Sequence, residues 1–197
     1  MQHPTQRKMS TKTMVLGAVM TALVIIMQLL GTYTTFFGPF STALALVPSV
    51  IGAALCGAGV GAWLGLIFGL VVLVTGGAAL FLAFNVPGTL ITVLVKGMAC
   101  GLAAGLSFRL ARTYNKTVAV ILAALLCPVT NTAVFLLGSA LFFLPYADAI
   151  AQTIGLNVSG MALFWALAMG NFLFEVAFCL LLAPAIVRLL QIKSKLS

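Results

Sequence analysis

Lys96 is a single lysine within an apolar stretch that is otherwise long enough to cross a bilayer. An isolated ammonium at such a depth costs on the order of 3 kcal/mol, so charges inside a membrane are usually paired or functional. Thr89 and Thr92 precede the lysine at helical spacing and therefore share its face of the helix. At a rise of about 1.5 Å per residue, Lys96 lies roughly 12 Å below the start of this helix. The spacing predicts a polar stripe on one face of a membrane helix.

Two later apolar stretches carry the other strongly polar side chains of the predicted spans. Asn171 and Glu175 are one helical turn apart, and Asn131 begins a stripe that continues with Phe135. At the same rise per residue, Asn131 lies about 20 Å and Asn171 about 15 Å from the ends of their helices. These depths are compatible with a single site that also includes Lys96.

Two interpretations of these residues remain open. Lys96 and Glu175 could form an ion pair that holds two helices together, as intramembrane charges often do. Alternatively, Lys96 could bind an anionic group of a ligand, with asparagines and threonines as hydrogen-bonding partners. Phe135, Phe142 or Trp165 would then form the apolar walls that small-molecule sites usually have. The two interpretations can coexist, because a ligand carboxylate could share the lysine with the glutamate.

The sequence gives little support for catalysis or metal binding. His3 is the only histidine, and Asp148 and Glu175 are the only acids. There is no GxSxG, HExxH or GxxxxGK[ST] motif, so the chain does not drive ATP-dependent transport by itself. The cysteines stand singly in apolar stretches, without a CxxC spacing: Cys56, Cys100, Cys127 and Cys179. We therefore predict a protein that is not an enzyme and has no metal site or cofactor.

The composition is that of an integral membrane protein. Of the 197 residues, 63% are hydrophobic and 6% are charged, and the mean hydropathy is +1.25; a soluble domain carries roughly 25% charged residues. Ten basic residues against two acidic ones give a net charge of +8. They form short clusters at the ends of apolar segments rather than a continuous basic face, which excludes nucleic acid as a partner and leaves the lipid bilayer as the environment.

The apolar segments predict an all-α fold of six transmembrane helices in one bundle. Glycine and proline residues mark the ends of the predicted helices. Residues 1–12 and 193–197 are expected to be basic tails, and residues 13–192 are expected to form the transmembrane, substrate-binding domain. The predicted spans are residues 13–30, 41–55, 60–74, 88–111, 117–144 and 161–190. Irregular segments are expected at 78–87 and 145–160.

The distribution of lysine and arginine orients the chain. Basic residues flank the N-terminus, the connection between the fourth and fifth spans, and the C-terminus. The connections that would lie on the opposite side of the membrane contain neither residue type. By the positive-inside rule, both termini are cytoplasmic.

Small residues recur at four-residue spacing in three spans, where they allow another helix to approach closely. Ala18 and Ala22 form such a face in the first span, which could serve a partner subunit. In the third and fourth spans we expect the face to pack inside the bundle. The residues are Gly57, Gly61, Gly65 and Gly69 in the third span, and Gly97, Gly101 and Gly105 in the fourth.

Taken together, these segments resemble the substrate-binding S components of energy-coupling factor (ECF) transporters, which are bacterial vitamin importers. The resemblance extends over nearly the whole chain in size, six spans and cytoplasmic termini. The Ala18-x-x-x-Ala22 face is similar to the family's docking motif for the transmembrane coupling subunit. Residues 95–105, 127–132 with Phe135 and Gly138, and 170–175 are similar to stretches in members of the family.

This resemblance implies a division of labour in the bacterial cell membrane. An S component binds a vitamin with high affinity from outside, then associates with a transmembrane coupling subunit and two ATPases and topples to release its cargo inwards. By the resemblance, loops at residues 36–40 and 81–85 would be lids, and Ala18 and Ala22 would be docking residues. The candidate ligand contacts would be Asn85, Lys96, Asn131, Asn171 and Glu175.

The identity of the ligand stays open at this point. One deep lysine suits a ligand with one carboxylate and several hydroxyl or amide groups, as in pantothenate, and the sequence is most similar to the pantothenate branch. Biotin and nicotinate also carry one carboxylate. Two other function classes remain. One is a stand-alone secondary transporter or channel for a small organic anion, which would need internal repeats or several ionisable groups along a path. The other is a structural membrane protein held together by a Lys96–Glu175 pair.

Overall fold

The computed structural model describes residues 11–33 and 44–195, with side chains described for residues 11–32 and 44–191. Over these residues helices are the regular secondary structure, joined by short turns, and there is no strand. A π-helical segment, Ser139–Phe143, and a 3-10 turn, Leu144–Tyr146, connect α6 to α7. The helices are α1 (Thr11–Tyr33), α2 (Leu46–Cys56), α3 (Ala58–Val74), α4 (Ala79–Leu82), α5 (Val86–Ala111), α6 (Lys116–Gly138), α7 (Ala147–Thr153) and α8 (Gly160–Lys195).

Four helical segments of the described chain are long and apolar enough to cross a membrane. They contain α1, α5, α6 with its continuation, and α8. The other two predicted spans correspond to α2 and α3, which are apolar helices of 11 and 17 residues. At about 1.5 Å per residue, α2 covers roughly half of a hydrocarbon core about 30 Å thick. The all-helical architecture predicted from the sequence is confirmed, while residues 41–43 of the predicted second span and the expected lid at 36–40 lie outside the described residues.

Three boundaries differ from the sequence prediction. The segment expected to be irregular at 78–87 contains the short helix α4, and the expected loop at 145–160 contains α7. The α-helix predicted to run to residue 144 ends at Gly138 and continues as the π-helical segment. Pro145 lies in the first turn of the following 3-10 helix, where its missing N–H leaves no hydrogen bond unmade. The proline therefore marks a change of helix type rather than a stop.

The starts of α5 and α6 are fixed by asparagine caps. The Asn85 side chain accepts a hydrogen bond of 2.9 Å from the Gly88 N–H, and Asn115 accepts one of 2.8 Å from the Thr117 N–H. Such caps satisfy amide groups that have no partner within the helix. The caps determine at which residue each helix begins, and therefore how far along α5 Lys96 lies and how far along α6 Asn131 lies.

Helices α3 and α5 touch through their glycines, so the faces expected to pack inside the bundle pack against each other. A side chain at Gly69 would place its Cβ 2.9 Å from the Val93 carbonyl oxygen, and Gly65 and Gly97 approach each other's backbone more closely still. Only glycine fits such a backbone-to-backbone contact. We call this contact between the glycines of α3 and α5 the glycine seam. It holds the residues of α3 that face Lys96 at a fixed distance from α5.

The apolar interior is divided into two clusters. The first surrounds α2, where Leu46, Val50 and Ala53 are completely buried. The second lies around α4, α7 and the start of α8, and includes Phe81, Phe143 and Phe164. Phe81 packs edge-to-face against Phe143 at a centroid distance of 5.0 Å. The polar residues predicted from the sequence lie between these clusters.

Candidate ligand-binding site

Two small adjacent cavities lie between α3, α5 and α6, and the first of them also borders α8. The first, which we call the glutamate cavity, has a volume of about 60 Å³. The second, the threonine cavity, has a volume of about 40 Å³. Four residues line both: Val72, Gly77, Lys96 and Phe135. The glutamate cavity adds Asn131, Asn171 and Glu175, and the threonine cavity adds Phe81, Thr89, Thr92 and Phe143.

Helical spacing brings the predicted polar residues together. Asn131 and Phe135 lie one turn apart on α6, and Asn171 and Glu175 lie one turn apart on α8, so both pairs face the glutamate cavity. Lys96 of α5 faces it from a third side. Four of the five candidate ligand contacts and the predicted apolar wall residue Phe135 therefore line one cavity, and Thr92 of the predicted polar stripe lines the adjoining one.

The Lys96 ammonium lies between two aromatic rings. Its Nζ atom is 5.8 Å from the centroid of Phe68 and 5.7 Å from that of Phe135. Each contact of this kind contributes about 0.5–2 kcal/mol, depending on how far it is desolvated. Among the described residues, no carboxylate lies within ion-pairing distance of this ammonium. The direct Lys96–Glu175 ion pair considered from the sequence is thus absent, although both groups line the same cavity.

Glu175 instead contacts an amide. The Asn131 Nδ2 atom donates to the carboxylate at 3.2 Å and 3.5 Å, and the two residues are only 5% and 4% exposed. Because a carboxylate only accepts hydrogen bonds, this contact fixes which end of the amide faces it. The Asn131 Oδ1 atom is consequently directed elsewhere, and it is buried without a hydrogen-bonding partner among the described residues.

The two threonines of α5 differ in their hydrogen bonding. The Thr89 hydroxyl donates to the Asn85 carbonyl at 2.7 Å. The Thr92 hydroxyl is buried and has no partner in the described part of the chain. Thr92 also packs directly against Gly138 of α6, where any side chain would overlap it. The glycine thus allows α6 to approach the threonine.

Asn85 lies outside both cavities, unlike the other predicted contacts. Besides capping α5, it donates through Nδ2 to the Phe142 carbonyl at 3.3 Å. Its polar atoms therefore connect the start of α5 to the π-helical segment. Its predicted role as a ligand contact finds no counterpart in the lining of either cavity.

The apolar walls differ from those considered in the sequence. Trp165 is 49% exposed on the outside of the bundle, and Phe142 packs against Gly88 rather than lining a cavity. The walls come from Phe68, Phe81 and Phe143 in addition to Phe135. The signal for Phe68 was its position between Gly65 and Gly69, on the face that the glycine spacing turns towards α5.

A third concave region lies on the surface, away from Lys96. We call it the α1–α3 groove; it has a volume of about 790 Å³ and is lined by Thr13, Met14, Gly17, Ala18, Thr21, Cys56, Gly59, Val60 and Trp63. Ala18 and Ala22 are both exposed, although Ala22 lies beyond the lining of the groove. The predicted docking face is therefore a free surface of the described chain.

Comparison with known proteins agrees with the resemblance drawn from the sequence. No curated protein matches the chain at a significant level. A family model described as "ECF transporter, substrate-specific component" matches residues 12–187. The matched region includes every residue of the two cavities and of the groove. The chain therefore belongs to the family of ECF transporter substrate-specific components, and it is a multi-pass protein of the cell membrane.

Proposed function

We propose that this chain captures a small organic anion, a vitamin with one carboxylate, at Lys96 and delivers it through a transmembrane coupling subunit and ATPases. Members of the family bind a small substrate and act with such partners. The anionic ligand is inferred from the Lys96 ammonium, which lines a cavity, contacts two aromatic rings and forms no salt bridge within the described part of the chain.

The energetics of a buried ammonium favour an anion. Cation–π contacts replace only part of the hydration that the ammonium gives up on burial. A ligand carboxylate would supply a charge-assisted hydrogen bond, which is stronger than a bond between neutral groups. Asn131, Asn171 and Glu175 would then bind the polar groups of the same ligand, and Phe135 would cover its apolar part.

We further propose six spans with both termini in the cytoplasm, and a site that opens to the outside. Arg109, Arg112 and Lys116 surround the connection between α5 and α6, which supports a cytoplasmic position for that connection. Lys96 is about 15 Å from the start of α5 and about 22 Å from its basic end, at 1.5 Å per residue. The cavities are thus nearer the face that we assign to the outside.

Pantothenate is our first candidate for the ligand. It has one carboxylate for the single ammonium, and its hydroxyl and amide groups suit the asparagines and the glutamate. Biotin and nicotinate carry the same anionic group and are the alternatives. The choice among them is a matter for measurement.

For the coupling subunit we propose docking at Ala18 and Ala22 on α1. Both alanines are exposed, and Ala18 lines the α1–α3 groove, whose volume is about 790 Å³. Small residues at this spacing allow close backbone approach between membrane helices. Family membership supplies the partner, since these components act with a coupling subunit.

The test of the anion site is Lys96→Ala in the purified full chain. Isothermal titration of pantothenate, biotin and nicotinate should show a loss of at least tenfold, or about 1.4 kcal/mol, for the acid that the wild type binds most tightly. Lys116→Ala is the matched control, because Lys116 lies at the start of α6 outside both cavities. Equal affinity in the wild type and the Lys96 variant would show that the ligand does not use this lysine.

A further inference from the structure

The glutamate and threonine cavities are separated by movable side chains. Lys96 and Phe135 line both cavities, so each lies at the boundary between them. The two residues are in contact, since the ammonium is 5.7 Å from the centre of the ring. Both side chains turn about single bonds, whereas the helices that carry them are held by backbone contacts. The boundary is therefore the part of the site that can open.

Neither cavity is large enough for an ordinary ligand. Their volumes of about 60 Å³ and 40 Å³ compare with roughly 300–1,000 Å³ for typical small-molecule sites. A ligand that binds Lys96 must therefore displace side chains, and rotation of Lys96 and Phe135 would join the two cavities. The joined space would extend from Glu175 at one end to Thr92 at the other.

We propose that a single ligand occupies both cavities, with its anionic group at Lys96, a polar arm at Asn131 and Glu175, and a second arm in the threonine cavity. There the Thr92 hydroxyl forms a hydrogen bond with the ligand. This inference rests on the proposed function, because it takes Lys96 as the group that binds the anion. It adds a second subsite and a requirement on the shape of the ligand.

The contrast between two threonines supports this subsite. Thr89 and Thr92 are neighbours on one helix face and line the same cavity. Thr89 donates to a backbone carbonyl, which is the usual way in which a threonine hydroxyl is satisfied within a helix. Thr92 is 5% exposed, and its hydroxyl has no partner among the described residues. A buried hydroxyl without a partner destabilises a protein, so its presence at a cavity wall indicates a use for it.

The surroundings of Thr92 define the chemistry of the second arm. Phe81, Val93 and Phe143 line the same cavity, so the arm should be largely hydrocarbon. The threonine hydroxyl both donates and accepts, so the arm should carry one hydroxyl or carbonyl group. The ligand class is thus an elongated organic anion with a polar arm and an apolar arm that bears one hydrogen-bonding group.

The test compares Thr92→Val with Thr89→Val. Both changes replace a hydroxyl by a methyl group of similar size, on the same helix and in the same cavity. The ligand is whichever of pantothenate and biotin, the two elongated acids, the wild-type chain binds more tightly by isothermal titration. We expect Thr92→Val to lower that affinity at least tenfold and Thr89→Val to lower it less than twofold. Without ligand, the Thr92→Val protein should melt at the same or a higher temperature than the wild type.

Three results would overturn the inference, and they are distinguishable. If Thr92→Val leaves the affinity within twofold while Lys96→Ala reduces it at least tenfold, the ligand is confined to the glutamate cavity and the proposed function stands. Equal losses in the two threonine variants would indicate altered packing of α5 rather than a bond to the Thr92 hydroxyl. Failure of all three acids to bind the wild type would remove the proposed anion site, and the second subsite with it.

Discussion

The cavities around Lys96 are small and combine polar with aromatic side chains, whereas the α1–α3 groove is larger, more open and lined mostly by apolar and small residues. Their volumes differ accordingly, at about 60 Å³ and 40 Å³ against about 790 Å³. Directional polar groups in a closed space select a small molecule by its functional groups. A groove bordered by alanine and glycine instead suits the backbone of another helix. The two regions thus have the properties needed for two different partners.

One helix contributes to both regions. Phe68 and Val72 of α3 face Lys96, while Gly59, Val60 and Trp63 of the same helix line the groove. The glycine seam fixes α3 against α5, so the two regions are parts of one packed unit although they share no side chain. Substitutions that alter only side chains should therefore affect one region and spare the other.

The largest expected effect is on docking. Ala18→Leu would place a bulky side chain in the α1–α3 groove and should reduce association with the coupling subunit at least 100-fold, because a close helix contact has no space for it. Ligand affinity should stay within twofold of wild type. The measurement is co-purification of the variant with the coupling subunit and ATPases, together with titration of the ligand.

Two further variants define the limits of this docking surface. Ala166→Leu is the matched control, since Ala166 is an exposed alanine of α8 that lines neither the groove nor the cavities. Ala22→Leu tests whether the surface extends beyond the groove. Loss of ligand binding in Ala18→Leu would instead make α1 part of the binding site and end the distinction between the two regions.

A smaller effect is expected from substituting Asn131, whose amide donates a hydrogen bond to the buried Glu175 carboxylate. Asn131→Leu removes the described hydrogen-bond donor to Glu175, and it should lower the free energy of unfolding by about 2 kcal/mol because a buried carboxylate loses its hydrogen bond. The melting temperature in detergent should fall. The double variant Asn131→Leu with Glu175→Leu should recover most of the stability, since an apolar pair replaces the polar one. A double variant as unstable as the single one would show that the carboxylate is stabilised by some other group.

Periodicity was sufficient to find the polar residues of the site. Lys96, Asn131, Asn171 and Glu175 are rare polar side chains in apolar helices, so each was conspicuous, and helical spacing determined which of them share a face. Four-residue spacing also predicted that the glycine faces of α3 and α5 pack inside the bundle, although not that they pack against each other. The all-helical architecture follows from the length and composition of the apolar segments.

Contacts between helices could not be obtained in this way. Asn85 is polar and lies close to Lys96 in the sequence, but in the structure it caps α5. Periodicity does not predict this role, because the role depends on where the helix begins. The glycine spacing places Phe68 on the face of α3 that packs against α5, but it does not indicate a contact with the ammonium, since one phenylalanine among many apolar residues is ordinary. The choice of Asn131 rather than Lys96 as the partner of Glu175 depends on rotamers and interhelical distances, which periodicity does not contain. Pro145 suggested a helix end, but the change to π-helical geometry begins at Ser139.

The last comparison places one methyl group in each region. Gly138→Ala should destabilise the protein by about 1–3 kcal/mol, as overpacking does, because the new Cβ would overlap Thr92. Gly17→Ala, beside the α1–α3 groove, would bring its Cβ to 3.7 Å from Val60, an ordinary contact. Its stability should be unchanged or higher by up to about 1 kcal/mol, since alanine favours the helix more than glycine does. Thermal melting separates the two variants, and Thr92→Ala should restore part of the stability of Gly138→Ala, since it removes Oγ1 and Cγ2 but leaves the Cβ atom 2.9 Å from the new methyl group. If Gly138→Ala and Gly17→Ala melt at the same temperature, α5 and α6 have room to move apart at this point. The wall of the threonine cavity is then no more tightly packed than the wall of the groove.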